Sequence, residues 1–74
     1  MKAREVNRKI ERLGGIVARQ VGSHRRYVVI FTDDNGAEMK VATTVPQHSG
    51  DIPAGTLRAI ERDLETALGK GWLR

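Results

Sequence analysis

The chain of 74 residues has only two histidines, and one of them stands where an imidazole can act. His24 closes the run Arg19-Gln20-Val21-Gly22-Ser23-His24, just ahead of the β-like segment Tyr27 to Thr32. A Gly-Ser-His turn between two strands would hold the ring at a fixed point on a small basic surface. Histidine titrates near neutrality, so it suits proton transfer at physiological pH. Cleavage of an RNA strand without a metal needs such a group, at the 2′-hydroxyl or at the departing 5′-oxygen. One well-placed acid–base group contributes on the order of 10²–10⁴ in rate. Arg19, Arg25 and Arg26 flank His24 and would hold the scissile phosphate and stabilise oxyanion charge. Ser23 offers a hydroxyl to the phosphate, and Gly22 lets backbone approach it closely. The competing reading of His24 is an ordinary polar turn residue.

The remaining candidates are weaker. His48 lies in the loop Pro46-Gln47-His48-Ser49-Gly50 and is an accessory candidate, with a ring bonded to loop backbone as the alternative. Tyr27, Lys40 and His48 are the residues that could share proton transfer with His24. Gly55-Thr56-Leu57-Arg58 opens a helix, where free backbone N–H groups and Arg58 would suit a phosphate. No metal or other cofactor is expected. There is no cysteine, so thiolate zinc sites and disulfides are excluded. Two histidines 24 residues apart with Asp33 and Asp34 form no recognised ligand spacing, and the two aspartates read as turn formers.

These residues need a frame. Val6, Ile10 and Leu13 recur at helical spacing over residues 3–13, and Gly14-Gly15 ends that helix. Ile16 to Gln20 reads as a first strand and Arg25 to Thr32 as a second. Asp33-Asp34-Asn35-Gly36 is the strongest hairpin signal, with Asn-Gly expected to supply the positive φ angles of a tight turn. Glu38 to Val45 returns as a third strand, with Met39, Val41, Thr43 and Val45 on one face, and Pro46 closes it. From Thr56 a second helix carries Leu57, Ile60, Leu64, Ala67 and Leu68 on one stripe, up to Gly69 and Gly71. Trp72 and Leu73 form an apolar tail that either folds back on the core or serves a partner.

The expected class is α+β, a three-stranded antiparallel sheet with both helices on one face. In the second strand both Tyr27, Val29, Phe31 and Val28, Ile30 are apolar, so the other face is open and apolar too. That face reads as a partner surface, or as valines kept for β propensity alone.

Size and charge bound the function. Seventy-four residues make one domain, 1–74, with a single thin core. The opening Met1-Lys2-Ala3-Arg4 has no apolar signal core behind it. The longest apolar run, Tyr27 to Phe31, is far short of a membrane span. No membrane association and a cytoplasmic location are expected. Residues 1–26 hold eight Lys or Arg against two Glu, while 27–74 hold five against seven acidic residues. A basic first third attracts phosphates and speeds encounter with nucleic acid, though a solvated helix face looks the same.

Several of these pieces together resemble the HicA-type toxins, bacterial mRNA interferases of toxin–antitoxin operons. The resemblance rests on Leu13-Gly14-Gly15 after a basic helix, on Arg19 to His24, on Val45-Pro46 with His48 and Gly50, and on Asp51 to Ile60. It spans most of the chain. It implies a double-stranded-RNA-binding-like fold, helix-strand-strand-strand-helix, with His24 as the catalytic residue of a glycine-serine-histidine motif. It also implies mRNA cleavage, growth arrest and a cognate HicB-type antitoxin covering the active site, with the free toxin a monomer. One departure is that Asp63 to Arg74 runs longer than the ending associated with that family.

Two rivals come from other classes. One is a non-catalytic RNA-binding module of the same fold, which reads duplex shape through phosphates and 2′-hydroxyls. Such modules usually carry a lysine cluster at the start of the second helix, where this chain has only Arg58. The other is a partner-only protein that uses its open apolar face and shows no salt-sensitive affinity for nucleic acid.

Overall fold

A computed structural model describes residues 1–74 as α1 (Ala3–Arg12), β1 (Ile16–Val21), β2 (His24–Thr32), β3 (Glu38–Pro46) and α2 (Ala54–Leu68). This is the expected α-β-β-β-α order, with an antiparallel sheet of strand order β1-β2-β3. No helix is long and apolar enough to cross a membrane.

The strand faces follow from the period-two alternation of side chains. Tyr27 and Val29 of β2 pair with Thr43 and Val41 of β3, and their side chains turn toward the helices. Val6 and Ile10 of α1 and Ile60 and Leu64 of α2 meet them in one buried cluster. The amphipathic stripes read from the sequence supply most of this core, but Leu13, read as the last member of the first stripe, lies past the end of α1 and is 47% exposed. Trp72 and Leu73 join the same cluster. The Trp72 indole N–H donates to the Glu61 carbonyl at 2.7 Å, and the Leu73 amide donates to the Glu61 carboxylate at 3.2 Å. The apolar tail thus folds back on the body.

The polar groups on this side are all matched. Thr43 is buried and its hydroxyl donates to Asp63 at 2.9 Å. The buried Asn7 amide exchanges two hydrogen bonds with Gln47, at 2.8 and 3.1 Å. No buried side-chain nitrogen or oxygen lacks a partner. An unpaired buried polar group costs roughly 1–3 kcal/mol, so this matching is what lets a small core carry them.

The β2–β3 hairpin differs from the expected Asn-Gly turn. Asn35 does not have positive φ; only Gly36 does, at 81°. The Gly36 amide donates to the Asp33 carbonyl at 3.0 Å, and the Asp33 amide to the Ala37 carbonyl at 2.9 Å. The Asp33 carboxylate also accepts the Asn35 and Ala37 amides, each at 2.9 Å. This is a three-residue loop, an ordinary β-turn followed by a left-handed glycine. The Asp33 side chain outcompetes the tighter turn by capping two amides at once.

Candidate active site on the open sheet face

The β1–β2 connection is a two-residue turn. Val21 pairs with His24, leaving Gly22 and Ser23 between them. Gly22 has φ 56° and Ser23 stays outside the left-handed region. A single positive φ at the first central position is the pattern that matches strand twist in a II′ hairpin. A Cβ on Gly22 would meet nothing within 4 Å, so backbone conformation alone asks for glycine here.

His24 becomes the first residue of β2, one position earlier than the sequence pattern suggests. It pairs with Val21 on one side and Pro46 on the other, in the middle strand of the sheet. Alternation from the buried Tyr27 and Val29 puts His24, Arg26, Val28 and Ile30 on the face that no helix covers. His24 is exposed there. The turn is also braced from behind, since the Gln47 amide donates to the Ser23 carbonyl at 2.6 Å.

The same face carries an unusual pair. Arg19 of β1 lies directly opposite Arg26 of β2. A bulge between Val17 and Arg19 shifts the register just before it. Like charges directly across a strand pair are destabilising by a fraction of a kcal/mol up to about 1 kcal/mol. No carboxylate relieves them: the three ion pairs of the molecule join Met1 and Lys2 to Asp51 and Arg74 to Glu61. Arg26 is held by a neutral partner instead, donating from Nη1 to the Thr44 hydroxyl at 3.1 Å. Thr44 is the cross-strand partner of Arg26, so the guanidinium is tethered across β3. Two guanidiniums with no carboxylate partner, beside one imidazole, make a surface suited to a phosphodiester.

The candidates separate into those brought together and those that are not. Arg19, Gly22, Ser23, His24 and Arg26 share one end of the open face or its turn. Arg25 points to the helix side. Its Nε donates to Gln20 at 2.7 Å and its Nη1 to the Tyr27 hydroxyl at 3.4 Å. Tyr27 in turn donates to the Glu11 carboxylate. Burial chiefly raises the Tyr27 pKa above its ordinary value of 10.0, with the Glu11 hydrogen bond adding to it and Arg25 opposing. Tyr27 is therefore a neutral, buried link on the face away from His24. Lys40 pairs with Ile30, six residues along β2 from His24, or about 20 Å of strand. Arg58 lines a shallow groove with Leu57, Glu61, Leu73 and Arg74, so it groups with the tail. His48 is exposed in a cleft with Lys2, Ala3, Arg4, Gln47 and Ser49.

Two parts of this arrangement escape sequence reading. Thr44 carries no signal until the register sets it against Arg26. The Asn7–Gln47 amide pair is 40 residues apart in the chain, and nothing local marks it.

No group of three or more His, Cys, Asp or Glu side chains is placed to hold a metal ion. The family model described as HicA toxin of bacterial toxin-antitoxin matches residues 3–67. A comparison with curated proteins gives no match.

Proposed function

The chain belongs to the HicA toxin family, and from that premise we propose that the open sheet face is the active site of an endoribonuclease that cleaves mRNA with His24. The family makes the chain the toxin of a bacterial toxin–antitoxin system and implies a cognate antitoxin as its partner. The observation that carries the enzymatic reading is the grouping of His24 with the unneutralised Arg19–Arg26 pair on the uncovered face. The reading further takes the toxin to act in the cytoplasm, as a monomer when free, arresting growth by inhibiting translation, with a HicB-type antitoxin covering this face.

The chemistry runs as an internal displacement. The ribose 2′-oxygen attacks the adjacent phosphorus as it loses its proton, and the bond from phosphorus to the 5′-oxygen breaks as that oxygen gains one. His24 serves at one of these two proton transfers and solvent water at the other. As a base it accepts the 2′-hydroxyl proton; as an acid it donates to the leaving 5′-oxygen. Arg19 and Arg26 bind the non-bridging oxygens, where negative charge grows in the transition state. The products are a 2′,3′-cyclic phosphate and a 5′-hydroxyl. No metal ion enters this scheme.

The test is cleavage of end-labelled mRNA by purified wild type and His24→Ala, in buffer containing a chelator. Cyclic phosphate and 5′-hydroxyl ends from wild type only are expected. Ends bearing 5′-phosphate would replace this scheme with attack by water. RNA binding without cleavage by wild type would leave the binding-module reading in its place. Growth arrest on induction of wild type but not His24→Ala is the matching result in cells.

A further inference from the structure

The larger of the two cavities is a cleft of about 410 Å³ lined by Lys2, Ala3, Arg4, Gln47, His48 and Ser49. It lies where the start of α1 meets the loop that follows β3. One of its walls is fixed to the His24 hairpin. The Gln47 amide donates to Ser23 at 2.6 Å, and the Gln47 side chain donates to the Val45 carbonyl at 3.0 Å. Behind Gln47 stands the buried Asn7, bonded to it twice. A doubly bonded, part-buried amide pair favours one geometry, because a slip leaves the buried Asn7 amide unpaired. The cleft and the catalytic turn therefore move as one body.

The charged groups of the cleft divide sharply. Lys2 is committed, with Nζ donating to the Ser49 carbonyl at 3.1 Å and lying 3.9 Å from Asp51. Asp51 is further occupied by the N-terminal ammonium at 3.4 Å. Arg4 and His48 make no side-chain hydrogen bond and no ion pair. Two free donors thus face a concave, polar space whose carboxylate neighbours are occupied, Asp51 by two cations and Glu5 by the Lys2 amide that donates to it at 3.0 Å. Pro46 pairs with His24 at the end of β3, and His48 follows two residues later in the chain.

We propose that this cleft is a subsite for a backbone phosphate of the RNA strand next to the scissile one, contacted by Arg4 and His48. The proposal rests on the endoribonuclease reading. It gives His48 a substrate-holding task and leaves proton transfer to His24. A flanking phosphate is unchanged by the reaction, so its contacts tighten substrate and transition state alike. They should alter KM and leave kcat alone.

The experiment measures binding of a single-stranded 2′-O-methyl RNA, which lacks the nucleophile, across a salt series. Wild type, Arg4→Gln and His48→Asn are compared, and thermal melts confirm that each is folded. Each neutralised phosphate contact on a single strand adds about 0.7 to the slope of log affinity against log salt. Arg4→Gln should reduce the slope by about that amount and weaken binding several-fold at low salt. A set of oligonucleotides, each with one uncharged methylphosphonate linkage, then locates the contact. One linkage should weaken wild type and leave Arg4→Gln unaffected. An unchanged slope, or a variant sensitive to every linkage that wild type senses, overturns the subsite. The same follows if both variants cleave natural RNA with wild-type KM. If wild type neither binds nor cleaves RNA, the endoribonuclease reading itself falls, and the subsite with it.

Discussion

The two faces of the sheet follow opposite rules. On the helix side Tyr27 reaches Glu11 and Arg25, Thr43 reaches Asp63, and Asn7 reaches Gln47, so no buried polar atom is left alone. On the open side Arg19 opposes Arg26 with no carboxylate in reach, and Ile16, Val21 and Ile30 are more than half exposed. The covered face is arranged for stability and the open face against it. Unrelieved charge and exposed apolar surface in so small a domain cost stability and gain nothing within the chain. On the proposed reading they gain something once a phosphate and a partner protein arrive. Folding and function can therefore be separated by face, and mutations should sort the same way.

The largest effects should fall at one residue on each face. His24→Ala should lower the cleavage rate by roughly 10²–10⁴-fold. As an exposed strand residue it should leave stability within about 0.5 kcal/mol. Leu64→Ala, with a fully buried side chain, should do the reverse. It should cost about 2–5 kcal/mol by urea denaturation, with specific activity per folded molecule retained. A stability loss in His24→Ala comparable to that of Leu64→Ala would break the division.

Arg19 and Arg26 sharpen the comparison, because stability and activity should move in opposite directions. Replacing either by alanine removes a like-charge opposition worth roughly 0.2–1 kcal/mol. Arg19→Ala should therefore be as stable as wild type or slightly more so, while cleavage falls. Arg26→Ala also gives up the Thr44 bond, so its gain in stability should be smaller. Urea midpoints and single-turnover rates measured on the same preparations check both signs. A variant that lost stability and kept its activity would mean the pair serves the fold.

How much of this the sequence revealed depended on whether the signal was local. Both helices, the three strands and the turn between the first two rest on spacing and turn chemistry within a few residues, and they stand with ends moved by one or two residues: β1 runs to Val21, β2 begins at His24 and α2 at Ala54. The family match over residues 3–67 agrees with the resemblance read from the motifs. Facing was harder. Arg25 and Arg26 look equivalent beside His24, yet strand alternation sends them to opposite sides of the sheet. The hairpin at Asn35-Gly36 shows why register resists local reading. A two-residue Asn-Gly turn would shift β3 by one residue against β2, and a one-residue slip exchanges the two faces. The Asp33 carboxylate decides the matter by capping two amides. The buried face of β3 then meets Tyr27 and Val29 through Thr43 and Val41. The tail was open between core and partner, and the Trp72 bond to the Glu61 carbonyl places it with the core.

A further substitution tests the covered face by itself. Tyr27 is fully buried, and its hydroxyl sits between the Glu11 carboxylate and the Arg25 guanidinium. Its pKa is raised above 10.0, by burial first and by the Glu11 bond second, against the pull of Arg25. The folded state therefore holds the phenolic proton more tightly than the unfolded chain does. The stability this gives is fully present below the unfolded value of 10.0 and is lost as pH rises through the higher folded value. Tyr27→Phe should cost about 1 kcal/mol near neutral pH, through the lost hydrogen bonds. Above the ordinary tyrosine range its stability should fall less steeply with pH than that of wild type. Urea midpoints taken across the alkaline range measure both. Cleavage should be untouched, since Tyr27 and Arg25 face away from His24. If Tyr27→Phe stayed folded and lost its nuclease activity, the two faces would be coupled through the Arg25–Tyr27–Glu11 chain, and the separation of folding from function would fail at that link.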